Sequence, residues 1–453
     1  MQFYQRFKWH TIIVMIAAIM FSCSPAKKLS STAPVEKDSP VNKTPKTLMD
    51  DNIAPEKDVA KTDSFLEKLL NQYPRYFKTI QEHKDDYRLQ IIYTRIDRNA
   101  ENKPDFKNFY FNVNPSQYFY PASTVKMPVA ALALQKVNEL HINGLDGKTP
   151  MITENAYSGQ TPVYNDPTTV DGCPNIEQYI KKIFLVSDND AFNRLYEFTG
   201  QQYINEQLHE KGYAGAEILH RLNIFLSQDE NRHTNPVQFR DTSGNIIYNQ
   251  SAQYNKKPHI QRNDRLGKGY YKGGVLINEP MNFSLKNRIS LEELHQVLKS
   301  IVFPFSVPEK QRFNITADQR SFLLRYMSQL PHETTYPFYD STYYDAFAKY
   351  LLLGSNIKAK LPEGLRIFNK IGGAYGFLID VAYIADFKNN IEFMLSAVIY
   401  CNKDDIINDD TYEYEETGFP FMQHLGEVMY DFELKRKRKQ VPDLSEFKME
   451  YGK

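Results

Sequence analysis

The stretch at residues 118–128 reads YFYPASTVKMP, and it decides how the rest of the chain can be arranged. Apolar residues after it recur at three- and four-residue spacing, which predicts a helix from Ser123 to about Leu140. Ser123 and Lys126 are three residues apart, so a helix presents both side chains on one face. A buried lysine with a lowered pKa can take the proton of a serine hydroxyl. The stretch therefore predicts a nucleophilic serine at the start of a helix.

A Ser-x-x-Lys pattern alone is weak evidence, because this chain contains it four times. The four occurrences are Ser24–Lys27, Ser123–Lys126, Ser355–Lys358 and Ser445–Lys448. Only Ser123 begins a strongly apolar helical segment, whose N-terminal N–H groups suit an oxyanion. Ser123 is therefore the candidate.

Two further motifs follow Ser123 along the chain. Ser187-Asp188-Asn189 occurs once, and in isolation it would be interpreted as a helix-capping turn. A basic motif then occurs either at Lys272-Gly273-Gly274 or at Lys370-Ile371-Gly372. The second is favoured, because it follows the strand-like residues LRIFN and precedes two more predicted strands and a final helix.

In this order the three motifs resemble those of class A β-lactamases and related penicillin-binding enzymes, namely Ser-x-x-Lys, Ser-Asp-Asn and Lys-Thr/Ser-Gly. The resemblance covers about residues 64–436. It implies an acyl-enzyme formed on the nucleophile, and a role for each matching residue. These roles are nucleophile (Ser123), its activating base (Lys126), proton relay to the leaving nitrogen (Ser187), contact to the substrate side-chain amide (Asn189), the carboxylate-binding motif (Lys370 and Gly372) and the oxyanion hole (N–H groups of Ser123 and Gly373).

The chain departs from the family pattern in a loop and in the third motif. Class A enzymes release the acyl group with a glutamate that follows an Arg-Leu-Asp sequence, and here Leu226 stands at that place after Arg221-Leu222-Asn223. Glu230 is the candidate substitute, beside Asp229, although an exposed acidic turn explains both. Ile371 also lacks the hydroxyl of the usual threonine or serine.

Three functions remain open from the sequence. The first is hydrolysis of β-lactam amides through an acyl-enzyme on Ser123. The second is a D-alanyl-D-alanine peptidase or transpeptidase acting on peptidoglycan peptides, which the missing glutamate favours. The third is an envelope binding protein that keeps the fold but has little turnover.

Predicted strands from both ends of the chain flank an internal helical block. This arrangement predicts an α/β sandwich in which N- and C-terminal strands share an antiparallel sheet and a mostly helical domain is inserted between them. The domain is expected over residues 63–440, with a polar insertion at about 237–280 and a tail at 441–453.

The N-terminus resembles a bacterial lipoprotein signal. Arg6 and Lys8 precede an apolar run of about eleven residues, which suits a signal peptide and is short for a bilayer span. We expect a signal peptide at 1–22, lipid attachment at Cys23 and a flexible linker at 23–62, rich in Ser, Pro, Lys and Thr. The expected location is the cell envelope, on the membrane through that lipid.

Composition excludes other classes of protein. The 55 basic and 55 acidic residues cancel, so no overall field attracts nucleic acid. The histidines show no metal-ligand spacing, and no nucleotide-binding motif is present, so neither a metal nor another cofactor is expected. The three cysteines cannot form a disulfide framework, although a Cys173–Cys401 pair stays open.

Overall fold

A computed structural model describes residues 60–452. The expected signal peptide, Cys23 and residues 23–59 of the linker lie outside the described residues. The backbone of Lys61 pairs with that of Val113, and its ammonium contacts Glu292 at 2.7 Å. The folded domain therefore includes the last residues of the expected linker.

Ten α-helices are described. Short 3₁₀ turns lie between them, including one at Ala122–Val125 that leads directly into the third helix. The helices are α1 (Ser64–Asn71), α2 (Pro74–Glu82), α3 (Lys126–Leu140), α4 (Ile176–Val186), α5 (Asn189–Thr199), α6 (Gln201–Glu210), α7 (Gln228–Arg232), α8 (Leu291–Val302), α9 (Ala317–Ser328) and α10 (Phe419–Lys435).

The described strands form one large sheet and several small ones. They are β1 (Gln90–Arg98), β2 (Pro104–Phe111), β3 (Met151–Thr153), β4 (His233–Thr234), β5 (Val237–Arg240), β6 (Ile246–Gln250), β7 (Gln253–Tyr254), β8 (Arg265–Leu266), β9 (Gly269–Lys272), β10 (Val275–Ile277), β11 (Met281–Asn282), β12 (Leu365–Ala374), β13 (Phe377–Asp386), β14 (Ile391–Tyr400) and β15 (Ile406–Ile407). The large sheet has the order β12-β13-β14-β1-β2, and all its pairs are antiparallel. N- and C-terminal strands thus share a sheet around a helical block, which confirms the predicted fold class.

Both faces of the large sheet are buried. Alternate residues of a strand point to opposite faces, so Ile92 and Val398 pack with the helical block while Ile91 and Ile399 pack with α1, α2 and α10. Every residue of β13 and β14 is buried. A sheet covered on both sides is rigid, and its edge strand β12 provides a fixed wall for the helical block.

Three helices differ from the sequence-based expectation. The helix expected from Ser64 is broken before Pro74, whose ring favours the first turn of a new helix. The helix expected over Ile176–Phe198 is broken at Ser187 and Asp188. The helix expected from Ser123 begins as a 3₁₀ turn and becomes α-helical at Lys126. The last two differences shape the candidate site.

The segment expected as a tail at 441–453 packs against the domain over part of its length. Leu444 and Phe447 are buried, and Phe447 packs against Phe303, Phe368 and Tyr383. The insertion contains the expected short strands, and it extends past residue 280 to the start of α8, because β11 pairs with β8 inside it. Cys173 and Cys401 are separate free thiols. Within residues 60–452 no helix is long and apolar enough to cross a membrane.

Candidate active site

Ser123 lies in the 3₁₀ turn before α3 and is partly exposed, whereas Thr124, Val125 and Lys126 after it are buried. Ala122 has a φ of 47°, a left-handed conformation that costs free energy for a residue with a side chain. The turn is held by the Thr124 N–H and hydroxyl, which both donate to Pro121 O. These contacts fix the backbone that carries the serine.

Lys126 begins α3 with a fully buried side chain. Its ammonium donates to the Ser187 carbonyl, to Asn189 Oδ1 at 2.7 Å and to Ser187 Oγ at 3.4 Å. Burial lowers the pKa of Lys126 to about 7, and the nearby Asp188 only partly opposes that shift. A large fraction of Lys126 is therefore neutral near pH 7 and can accept a proton.

The Ser-Asp-Asn motif forms the break between α4 and α5. Ser187 ends α4 with a φ of 60°, and the Asp188 carboxylate caps α5 by accepting from the Ala191 N–H at 2.8 Å. The sequence allowed either a helix cap or a site motif; the structure shows the cap, and the site role stays a prediction. The sharp reversal brings Ser187 and Asn189 to the ammonium of Lys126.

Lys370, on strand β12, also contacts the Ser187 hydroxyl. It lies within β12, is buried, and donates to Ser187 Oγ and to Ile371 O, both at 2.8 Å. Burial lowers the pKa of Lys370 well below its usual value, and the charge of Lys126 lowers it further. Ser187 Oγ thus joins two lysines, an arrangement suited to proton transfer.

The alternative basic motif is not part of this network. Lys272 is exposed at the end of β9, and Gly273 and Gly274 form the turn to β10. Lys370 is the candidate that contacts Ser187, and its strand is longer than expected and continues to Ala374.

Gly372 and Gly373 allow β12 to pass beside the serine. A methyl group on Gly372 would lie 2.8 Å from the Pro121 carbonyl oxygen and 3.1 Å from the Ser123 nitrogen. Gly373 is exposed beside this contact. The close approach supports the expected oxyanion hole of two N–H groups, which stays a prediction.

Gly372→Ala is expected to displace β12 from the serine turn, since a backbone oxygen blocks the added methyl. We expect acylation of Ser123 to slow by at least about 10-fold and stability to fall by roughly 1–3 kcal/mol. Stopped-flow acylation and thermal unfolding measure the two effects. Gly452→Ala is the control, because its nearest neighbour is an ordinary 3.6 Å contact. Equal behaviour of the two variants would contradict this account of Gly372.

A second buried network lies on the other face of β12. Lys349 donates to Asn369 and to Met327 O, and Asn369 donates to Asp380 Oδ1 at 2.7 Å. Asp380 also accepts the N–H groups of Tyr350 and Leu351. The network fixes the segment 349–351 against β12 behind the candidate site. Its members are distant in sequence, so no motif indicated it.

The loop expected to carry a catalytic glutamate is anchored by Arg221. This buried guanidinium binds Glu197 at 2.9 Å and the His233 carbonyl at 3.0 Å. Leu226, at the position of the family's glutamate, packs against Gly159. Leu226 cannot activate water.

Glu230 does not take over that role in the structure. Its carboxylate accepts from the Ser227 N–H at 2.7 Å in a capping box of α7, and from the Ser158 hydroxyl at 2.8 Å. Within the described residues no hydrogen bond joins it to Ser123, Lys126 or Ser187. The expected catalytic role of Glu230 therefore has no supporting contact, and helix capping explains the residue.

Aromatic side chains line the region beyond Gly373. Tyr375 meets Tyr120 edge-on at 4.9 Å between ring centroids and Phe283 at 5.2 Å. Phe283 was not indicated by the sequence, because a phenylalanine in a polar insertion carries no local signal of such a contact.

Comparison with known proteins agrees with this geometry. Residues 80–255 match the model of the β-lactamase enzyme family, a segment that includes the first two motifs. No curated protein matches the chain significantly. This segment is thus similar to the β-lactamase enzyme family, and the described fold is an antiparallel sheet with an inserted helical block.

Solved β-lactamase structures are also similar to the chain. A halotolerant bacterial β-lactamase is 14% identical with a TM-score of 0.43, and the match covers 79% of this chain and 99% of that one. A class A β-lactamase from Clostridium kluyveri is 14% identical with a TM-score of 0.44, covering 80% and 98%. A β-lactamase from Burkholderia ambifaria is 14% identical with a TM-score of 0.42, covering 78% and 98%. At these identities, activity and substrate must be argued from the site.

No group of three or more His, Cys, Asp or Glu side chains within residues 60–452 is arranged to hold a metal ion.

Proposed function

We propose that the protein is a serine hydrolase that forms an acyl-enzyme on Ser123 with β-lactam amides and releases the product slowly. The observation that carries the proposal is the pair of buried lysines, Lys126 and Lys370, that both donate to the hydroxyl of the partly exposed Ser187. Lys126 follows the partly exposed Ser123 by three residues. A lysine that is largely neutral near pH 7 is the requirement for activating a serine hydroxyl.

In the acylation step Ser123 Oγ attacks the amide carbonyl while Lys126 takes the hydroxyl proton. The carbonyl oxygen becomes an oxyanion beside the Ser123 and Gly373 N–H groups. When the C–N bond breaks, the nitrogen takes a proton through Ser187, which returns Lys126 to its neutral form. Lys370 supplies positive charge for a substrate carboxylate, and Asn189 contacts the side-chain amide.

Among the described residues, neither candidate position supplies a free carboxylate to activate water in the release step. Leu226 is apolar and Glu230 is engaged in its capping box. General-base catalysis contributes typically 10²- to 10⁴-fold to such a step, so its absence leaves the acyl-enzyme long-lived. This observation favours the second candidate, a D-alanyl-D-alanine peptidase that β-lactams inhibit. Cleavage of an acyl-D-alanyl-D-alanine peptide faster than β-lactam turnover would distinguish it.

Stopped-flow hydrolysis of a chromogenic cephalosporin tests the proposal. We expect a burst of about one product per enzyme, then a much slower steady rate, because acylation outpaces release. The burst rate should rise with pH through about pH 7, since only neutral Lys126 accepts the serine proton. The pH dependence belongs to the coupled lysine pair, so its midpoint reports both groups.

Two outcomes would contradict the proposal. Absence of any burst or hydrolysis means that no acyl-enzyme forms, and the envelope binding protein would then be the better hypothesis. A burst rate that does not change from about pH 5.5 to pH 8.5 would exclude Lys126 as the base, because burial brings the pKa of Lys126 into that range.

A further inference from the structure

The segment that follows β11 forms the end of the candidate site beyond Gly373. Phe283 is fully buried there and contacts Tyr120 and Tyr375, with ring centroids 6.1 Å and 5.2 Å away. The Lys286 N–H donates to the Phe283 carbonyl at 2.8 Å, which closes a turn. The polar insertion thus supplies part of the site wall.

Lys286 on this turn is a mostly buried ammonium. Its Nζ lies 6.0 Å from the centroid of the Tyr375 ring. Burial lowers the pKa of Lys286, and its charge adds to the burial that lowers the pKa of His220 to about 4. Its Nζ has no hydrogen bond or ion pair with any residue in the described part of the chain.

The carboxylates of Asp264 and Glu217 are paired with arginines and not with Lys286. Asp264 pairs with Arg262 and Arg288 at 3.3 Å and 3.2 Å, and Glu217 pairs with Arg262 at 2.9 Å. A charge that is largely withdrawn from water is costly without a partner, so such a group is usually paired. Lys286 is only partly exposed and has no anionic partner among the described residues, so an anionic ligand would stabilise its charge.

The position of Lys286 relative to Lys370 shows which part of a substrate it would meet. Lys370 and Tyr375 are five residues apart on and just beyond β12, which corresponds to roughly 16 Å of extended chain. Gly373, the expected oxyanion donor, lies between them. A substrate bound along β12 would thus meet Lys370 on the leaving-group side and Lys286 on the acyl side.

We propose that Lys286, with the rings of Tyr375 and Phe283, forms a subsite for an anionic group on the acyl side of the substrate. The preferred acyl donors then carry two negative groups, one on each side of the scissile amide. This inference rests on the proposed function and names the substrate class of the same site. It also gives the insertion a role in specificity.

The test compares two penicillins that differ only in a carboxylate on the acylamino side chain. The second-order rate of acylation is measured for each by intact mass. Lys286→Gln should lower the preference for the carboxylated compound by about 10-fold, the size expected for one charged hydrogen bond. Lys286→Arg should keep the preference, because it retains the positive charge.

Lys268→Gln is the matched control, since Lys268 is an exposed lysine of the same insertion. An unchanged preference in Lys286→Gln, or an equal loss in Lys268→Gln, would overturn the inference. Acylation of the wild type by the neutral penicillin tests the proposed function separately. If neither compound acylates the wild type, calorimetry measures binding of both penicillins to Ser123→Ala and to the double variant that also carries Lys286→Gln. A preference for the carboxylated penicillin that is lost in the double variant supports the subsite, and an unchanged preference overturns it.

Discussion

Ser123→Ala is expected to reduce cephalosporin hydrolysis and the acylation burst by about 10⁴-fold or more, because removing a nucleophile eliminates the covalent route. The substitution removes one oxygen from a partly exposed side chain, so folding should be unaffected. Steady-state and stopped-flow absorbance measure the loss, and thermal unfolding checks the fold.

Ser355→Ala is the control for this prediction, because Ser355 belongs to another Ser-x-x-Lys sequence. Its hydroxyl lies beside that of Tyr344, so its contacts are structural. We expect hydrolysis by this variant to equal that of the wild type. Full activity in Ser123→Ala would show that another group forms the acyl-enzyme.

Lys126→Met is expected to slow acylation by about 10³-fold, within the range for loss of a general base. Methionine fills similar space, but it cannot take the serine proton or donate to Ser187 and Asn189. The pH dependence of the residual burst should also lose its rise near pH 7. Stopped-flow acylation between about pH 5.5 and pH 8.5 measures both effects.

Lys136→Met provides a matched control on the same helix. Burial also lowers the pKa of Lys136 to about 7, but its ammonium donates to Phe198 O and Thr199 O. This variant should lose stability and keep its acylation rate per folded molecule. An equal slowing in both variants would mean that Lys126 acts through the fold and not as the base.

The sequence predicted the site best where functional side chains lie a few residues apart in a fixed motif. Ser123 with Lys126, and Ser187 with Asn189, each lie within four residues, and their order along the chain pointed to Lys370. The sheet was also predictable, because β13 and β14 are continuous apolar runs between turn residues. Fold and central network were therefore accessible without a structure.

Other features depend on contacts between distant segments. Ser-Asp-Asn suits a helix cap, but apolar periodicity continues across it, so the left-handed reversal at Ser187 was not predicted. The contact of Lys286 with Tyr375 joins residues of the insertion and β12, for which local sequence has no signal. The role of Glu230 stays a prediction, since a helix cap and a catalytic carboxylate look alike in one chain.

Peptide mapping of the wild-type protein after brief treatment with a penicillin tests the central claim most directly. The sample is quenched in acid, digested, and examined by mass spectrometry for the peptide that carries the intact added mass of the drug. We predict one adduct per chain, on Ser123, and none in a parallel sample of Ser123→Ala. An adduct on any other residue, or an unmodified Ser123 peptide at saturating penicillin, would contradict the account.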